Sequence, residues 1–119
     1  MNRLFILIFM ILVSGVLCNA DELGPYSITD ANWEIGYTTA SGYGEIVYIK
    51  YGNTSVYYYK WKDADVFNCF KSIVDKIITM KLTSILDPNV KLRVCYYPNE
   101  PDNPHKGRSN MIKFISITH

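Results

Sequence analysis

Hydrophobic and polar positions change their period several times along this chain. From Ser27 to Tyr37 they alternate, with Ala31, Trp33, Ile35 and Tyr37 on one side and Asp30, Asn32 and Glu34 on the other. That is the pattern of a half-buried strand. Glu45–Tyr51 and Ser55–Trp61 read as two further strands, dominated by the aromatic and β-branched residues that strands favour. Gly52-Asn53-Thr54 between them turns the chain into a hairpin. From Asp65 to Leu86 the period becomes helical. Val66, Phe70, Ile73, Val74, Ile77, Ile78, Leu82 and Ile85 recur at the spacing of one apolar stripe, and Asn68, Lys71, Ser72, Asp75, Lys76 and Thr79 fill the opposite face. Asp65 is the better N-cap, with Asp63 the alternative, and Pro88 disfavours helix at the residue before it. Alternation returns over Val90–Tyr97 and Met111–Thr118. Asp21–Pro25 reads as a loose lead-in. Pro98–Asn110, with three prolines, a glycine and no aliphatic residue, reads as a long exposed loop.

The predicted order is therefore β-β-β-α-β-β, mainly β with one helix. An amphipathic helix among strands must cover or plug a sheet, because neither element buries its apolar face alone. Five strands with a helix between the third and fourth is the layout of the OB-fold, a small five-stranded barrel. An open antiparallel sheet with one packed helix uses the same elements.

The N-terminus reads as a processing signal. Asn2 and Arg3 precede an unbroken apolar run, Leu4–Val13, and Cys18-Asn19-Ala20 offers small residues for cleavage. A secretory signal peptide over 1–20 is the expectation, leaving one domain over 21–119 and a secreted or periplasmic location. The apolar run is shorter than the roughly 20 residues that span a bilayer, so no membrane span is expected after cleavage. The whole chain carries 12 basic and 11 acidic residues. Loss of Arg3 with the leader makes the mature chain formally neutral, which argues against nucleic acid as a partner.

Cys69 and Cys95 survive cleavage. In an oxidising compartment such a pair suggests one disulfide. The alternative is two buried free thiols, because Cys69 lies at the edge of the helix stripe and Cys95 on the strand face opposite Val90, Leu92, Val94 and Tyr96.

Catalysis has little support, and an enzyme without a recognisable motif is the weakest of three readings. His105 lies in the proline-rich stretch and His119 is the last residue, and neither belongs to a known nucleophile motif. No metal-ligand spacing, glycine-rich phosphate loop or cofactor motif is present. The chain reads as non-enzymatic. Its distinctive feature is aromatic content, ten tyrosines and two tryptophans. Tyr57, Tyr58 and Tyr59 stand in a row, so at least one faces away from the core. Exposed rings bearing a hydroxyl suit sugar recognition, and Tyr58 and Trp61 are candidate ligand-binding residues. Tyrosine on a barrel surface equally suits a subunit contact.

The run ITDANW at Ile28–Trp33, a glycine turn and GEIVYIKYG at Gly44–Gly52 resemble the first half of secreted bacterial OB-fold proteins related to the binding (B) subunits of AB toxins, of the subtilase-cytotoxin and typhoid-toxin type. FKSIVDKIITMKLTS, VKLRVCYYP and IKFISI fit the second half. The resemblance implies an OB barrel that binds a cell-surface glycan or glycoprotein, a homopentamer, and a toxin catalytic subunit as partner. It places a sugar-contacting serine near Ser27, beside Tyr26. The other expectation is a secreted protein–protein interaction module or inhibitor.

Overall fold

A computed structural model describes residues 21–82, 87–102 and 107–119. The expected leader, the end of the expected helix and His105 lie outside the described residues. The fold is mainly β with a single helix. Its strands are β1 (Asp21–Ser27), β2 (Trp33–Ala40), β3 (Gly44–Tyr51), β4 (Thr54–Tyr59), β5 (Lys91–Asp102) and β6 (Gly107–Thr118), with helix α1 (Ala64–Leu82) between β4 and β5. One sheet holds all six in the order β1-β5-β6-β4-β3-β2. Neighbours run antiparallel except β4 and β6, which meet in parallel where Tyr57 lies opposite Met111.

Six strands stand where the alternation predicts five. The stretch from Ser27 to Tyr37 is not one strand but the end of β1, a pair of turns and the start of β2. Asp30 N–H bonds the Ser27 carbonyl at 3.0 Å, and Trp33 N–H bonds the Asp30 carbonyl at 3.2 Å. The Asp30 carboxylate also accepts from the Asn32 N–H at 2.9 Å, the local bonding that draws Asp into turns. Alternation alone cannot see this, because turn residues can keep a period of two by chance. The expected lead-in is strand β1, which pairs with β5, Leu23 opposite Val94 and Tyr26 opposite Leu92. Pro25 is tolerated because it falls within a shift of register, where no ladder donor is required. Gly24 precedes it at φ 89°, and a Cβ there would lie 2.4 Å from the Leu92 carbonyl oxygen.

The expected Pro98–Asn110 loop is largely a hairpin. β5 and β6 continue past Tyr97, with Glu100 opposite Ser109, Pro101 opposite Arg108 and Asp102 opposite Gly107. A bulge between Tyr97 and Glu100 absorbs Pro98 and Asn99, the latter at φ 54°. Arg108 donates to the Asn99 carbonyl at 2.7 Å, and Asn110 donates to the Ser55 carbonyl at 3.0 Å, which ties the arm to β4.

Helix α1 is capped by Asp63, not Asp65: the Asp63 carboxylate accepts from the N–H groups of Asp65 and Val66 at 3.0 and 3.1 Å. Its buried face is Phe67, Phe70, Val74 and Ile77. Val66 and Leu82, expected on the stripe, are exposed, and Ile73 and Ile78 are half-buried at its margins. Phe70, Val74 and Ile77 lie on the expected stripe, and Phe67 joins them in the first turn in place of Val66, so the buried face is narrower than the expected one but centred on the same side. α1 lies against β2, β3 and β4. Beneath it the core is built from Val47, Ile49, Val56, Leu92, Val94 and Ile112, closed at one end by Ile28 and Trp33.

The narrowness of that face decides the state of Cys69, which lies about 120° round the helix from its centre and is an exposed free thiol. Cys95 is fully buried and disulfide-bonded. The Cys69–Cys95 bond weighed from the sequence does not form.

Candidate functional site

Side chains alternate along β4. Val56 and Tyr58 enter the core, so Tyr57 and Tyr59 take the outer face. Trp61, just past the strand, continues that line. The Tyr57 and Tyr59 ring centroids lie 6.3 Å apart with planes 19° apart, and Tyr59 and Trp61 lie 5.9 Å apart at 21°. Tyr43, from the turn joining β2 and β3, flanks Tyr59 at 5.3 Å and 24°. Four nearly parallel rings thus form one patch on the outside of the sheet. Tyr59 is buried at its centre, and Trp61 is its most open member at 42 % exposure.

The patch has a polar side, supplied by the β5–β6 arm. The Tyr59 hydroxyl donates to Ser109 Oγ at 3.0 Å. Asp102 is 6 % exposed, and its Oδ1 is buried without a hydrogen-bond partner. A carboxylate oxygen in that state is costly. Gly107 opposite is required for the fit, since a Cβ there would sit 2.7 Å from Oδ1. Burial pushes the Tyr43 phenol above its ordinary pKa, and the charge of Asp102 adds to this. Burial also raises Tyr59. Both rings stay protonated donors at neutral pH. Beside the patch, Lys60 pairs with Glu45 at 2.8 Å, an exposed bridge that contributes little energy.

A second aromatic group lies at the opposite end of β3. Tyr26 stacks on Tyr51 at 4.2 Å, and Trp33 meets Tyr51 edge-on at 4.8 Å. The Tyr51 hydroxyl donates to the Asp30 carboxylate at 2.5 Å, and Trp33 Nε1–H donates to the Ser27 carbonyl at 3.0 Å. The Ser27 hydroxyl donates to the Pro88 carbonyl at 2.8 Å and accepts from the Thr29 N–H at 3.3 Å. Ser27 here clamps a turn.

Comparison with protein families, curated proteins and solved structures finds no match.

The four residues singled out from the sequence therefore separate. Tyr26 (41 % exposed) and Ser27 lie at one end of the sheet, and Tyr58 and Trp61 at the other. Trp61 is an open ring on the patch. Tyr58 is not a surface ring: it is 6 % exposed and meets Phe70 of α1 edge-on at 5.1 Å. The two-residue period places Tyr57, Tyr59 and Trp61 together and could have identified the first two. Asp102 and Ser109 carried no readable signal, because their stretch has the composition of a loop. Among the described residues no group of His, Cys, Asp and Glu could hold a metal ion, and no helix is long and apolar enough to cross a membrane.

Proposed function

We propose that the mature chain is a secreted, non-enzymatic OB-fold domain that binds a glycan on a host surface, in the manner of AB toxin binding subunits. What supports the OB-fold is connectivity. β1 and β2, separated by two turns, occupy the two ends of the sheet order, as the halves of one bent strand would in a closing barrel. The helix between β4 and β5 and the parallel meeting of β4 with β6 fit the same scheme. OB barrels bind ligands on the face of their second and third strands and in the adjoining loops. Counting β1 and β2 as the first strand, that face is β3 and β4, flanked by the β2–β3 turn and the β5–β6 arm.

The observation that carries the reading is the open Trp61 ring, in series with Tyr59 on the outer face of the sheet. A pyranose ring would stack on the indole. A glycan array followed by tryptophan-fluorescence titration tests it. Trp61→Ala is expected to weaken binding about tenfold, on the scale of 1–3 kcal/mol for a stacked ring. Absence of binding to any glycan would leave the protein–protein module as the better reading, which the wide exposure of Tyr26, Tyr37 and Tyr97 favours. Native mass spectrometry decides whether the expected homopentamer forms.

A further inference from the structure

β2 is an edge of the sheet and pairs only with β3 among the described residues. In an antiparallel pair, successive residues turn their main-chain N–H and C=O groups to opposite sides. The Lys60 N–H bonds the Glu45 carbonyl at 3.0 Å, so Glu45 faces β4. Ile46, Tyr48 and Lys50 therefore face β2, where they lie opposite Thr38, Gly36 and Glu34. The bond from the Gly52 N–H to the Asn32 carbonyl, at 3.3 Å, keeps the same phase. The N–H and C=O groups of Ile35, Tyr37 and Thr39 thus point off the sheet, without a partner among the described residues. Such a row is a template for another strand, and proteins guard it with proline, lysine or a bulge. β1, at the other end of the sheet order, is guarded by Pro25 and by a shift of register between Leu23 and Tyr26. β2 has no proline, no lysine and no shift, and Glu34 is its one charge.

Beside this edge lies an apolar shelf. Lys71 Nζ stands 4.9 Å from the centre of the Tyr37 ring, and the Tyr37 hydroxyl donates to the Asp75 carboxylate. Ile78 and Leu82 follow Lys71 and Asp75 at helical spacing, so the four form one stripe on the side of α1 that meets β2. Tyr37 and Leu82 are both widely exposed. The flanking charges are matched: Glu34 lies opposite Lys50, Glu45 lies between Lys60 and Lys71, and Asp75 accepts from Tyr37. The edge therefore presents a neutral surface.

We propose that the free edge of β2 takes up an extended, uncharged segment of a partner protein as a further strand. The segment's main chain would exchange hydrogen bonds with Ile35, Tyr37 and Thr39. Its alternate apolar side chains would lie on Tyr37 and Leu82. Strand addition draws affinity from the main chain and selectivity from every second side chain. An open edge with an apolar shelf on one face and matched charges supplies both.

The probe is a short blocked peptide of alternating valine and threonine, titrated into the mature protein and followed by amide NMR and hydrogen exchange. In the free protein the amides of Ile35, Tyr37 and Thr39 should exchange about tenfold faster than those of Glu34, Gly36 and Thr38, and the peptide should slow them by a similar factor. The same peptide fully N-methylated has no main-chain donors and should bind about tenfold more weakly. Thr39→Pro removes an outward N–H and no bond to β3. It should weaken binding about tenfold with cooperative melting retained, and Thr39→Val should bind like the parent. Leu82→Lys should weaken binding severalfold. The proposal is overturned if the peptide does not bind, if N-methylation changes nothing, or if the protected amides lie off β2. It is also overturned if the three amides are already protected in the free protein and the protein sediments as an oligomer, since the edge then belongs to another copy. Because Trp61 takes no part, a failed glycan array leaves this result standing.

Discussion

At the scale of single residues, two aromatic side chains three positions apart do opposite jobs. Tyr58 fills the core against Phe70, and Trp61 stands open on the outer patch. Tyr58→Ala should therefore cost about 3–5 kcal/mol, the range for deleting a buried aromatic ring, and lower the melting temperature by well over 10 °C. Trp61→Ala should shift it by only a few degrees while weakening patch binding about tenfold. Calorimetry on the two variants separates these roles, and equal destabilisation would contradict the assigned faces. The Tyr51–Asp30 bond makes a second prediction. The Tyr51 hydroxyl, and after it the Asn32 N–H, holds the Asp30 carboxyl below its ordinary 3.8. That stabilisation is present above about pH 3.9 and is lost as the pH falls through the lower folded value. The same bond raises the Tyr51 phenol above 10.0, a contribution present below pH 10 and lost as the pH rises through the folded value. Tyr51→Phe should flatten the fall in melting temperature between pH 4 and 2 relative to the parent. An unchanged acid limb would show that the bond does not form in solution.

At the scale of elements, α1 is held by four side chains on a narrow face, Phe67, Phe70, Val74 and Ile77. Val74→Asp places an unpaired carboxylate where nothing can solvate it, at a cost of several kcal/mol against a total stability of about 5–10. Loss of cooperative melting is the expected result. Leu82→Lys is the control, because Leu82 is 81 % exposed and lies in the last turn, where a cation suits the helix dipole. It should be neutral or slightly stabilising. If Leu82→Lys unfolds the domain and Val74→Asp does not, the helix is rotated from the face described. The β5–β6 arm teaches a related lesson. Its prolines and glycine signalled a loop, but a bulge absorbs Pro98, and among the described residues β1 pairs with β5 no further than Tyr96, which leaves Pro101 beyond that pairing. Composition reports what a residue avoids, not where a ladder has a spare edge.

At the scale of the whole molecule, the two cysteines report how the helix sits on the sheet. Native protein treated with iodoacetamide without reductant should be alkylated at Cys69 and not at Cys95. Cys95, fully buried, should react only once denaturant opens the fold. Peptide mapping reads this directly, and protection of Cys69 in the monomer would mean that another surface covers the helix.

The sequence alone determined that the chain is mainly β with one helix, because a period of two and a period of 3.6 are local properties of the pattern. It determined four of the strands to within a few residues, and the aromatic character of β3 and β4. It singled out Trp61, whose ring the structure leaves exposed. Three things were decided only by tertiary structure. The break between β1 and β2 depends on β1 finding a partner in β5, a contact some 70 residues away along the chain. The face of α1 that is buried, and with it the state of Cys69, depends on which strands the helix meets, since Val66 and Phe67 are equally apolar and only one can face the sheet. The polar side of the patch exists because the arm carries Asp102 and Ser109 back to Tyr43 and Tyr59, and no local pattern records which distant residues a hairpin will bring together.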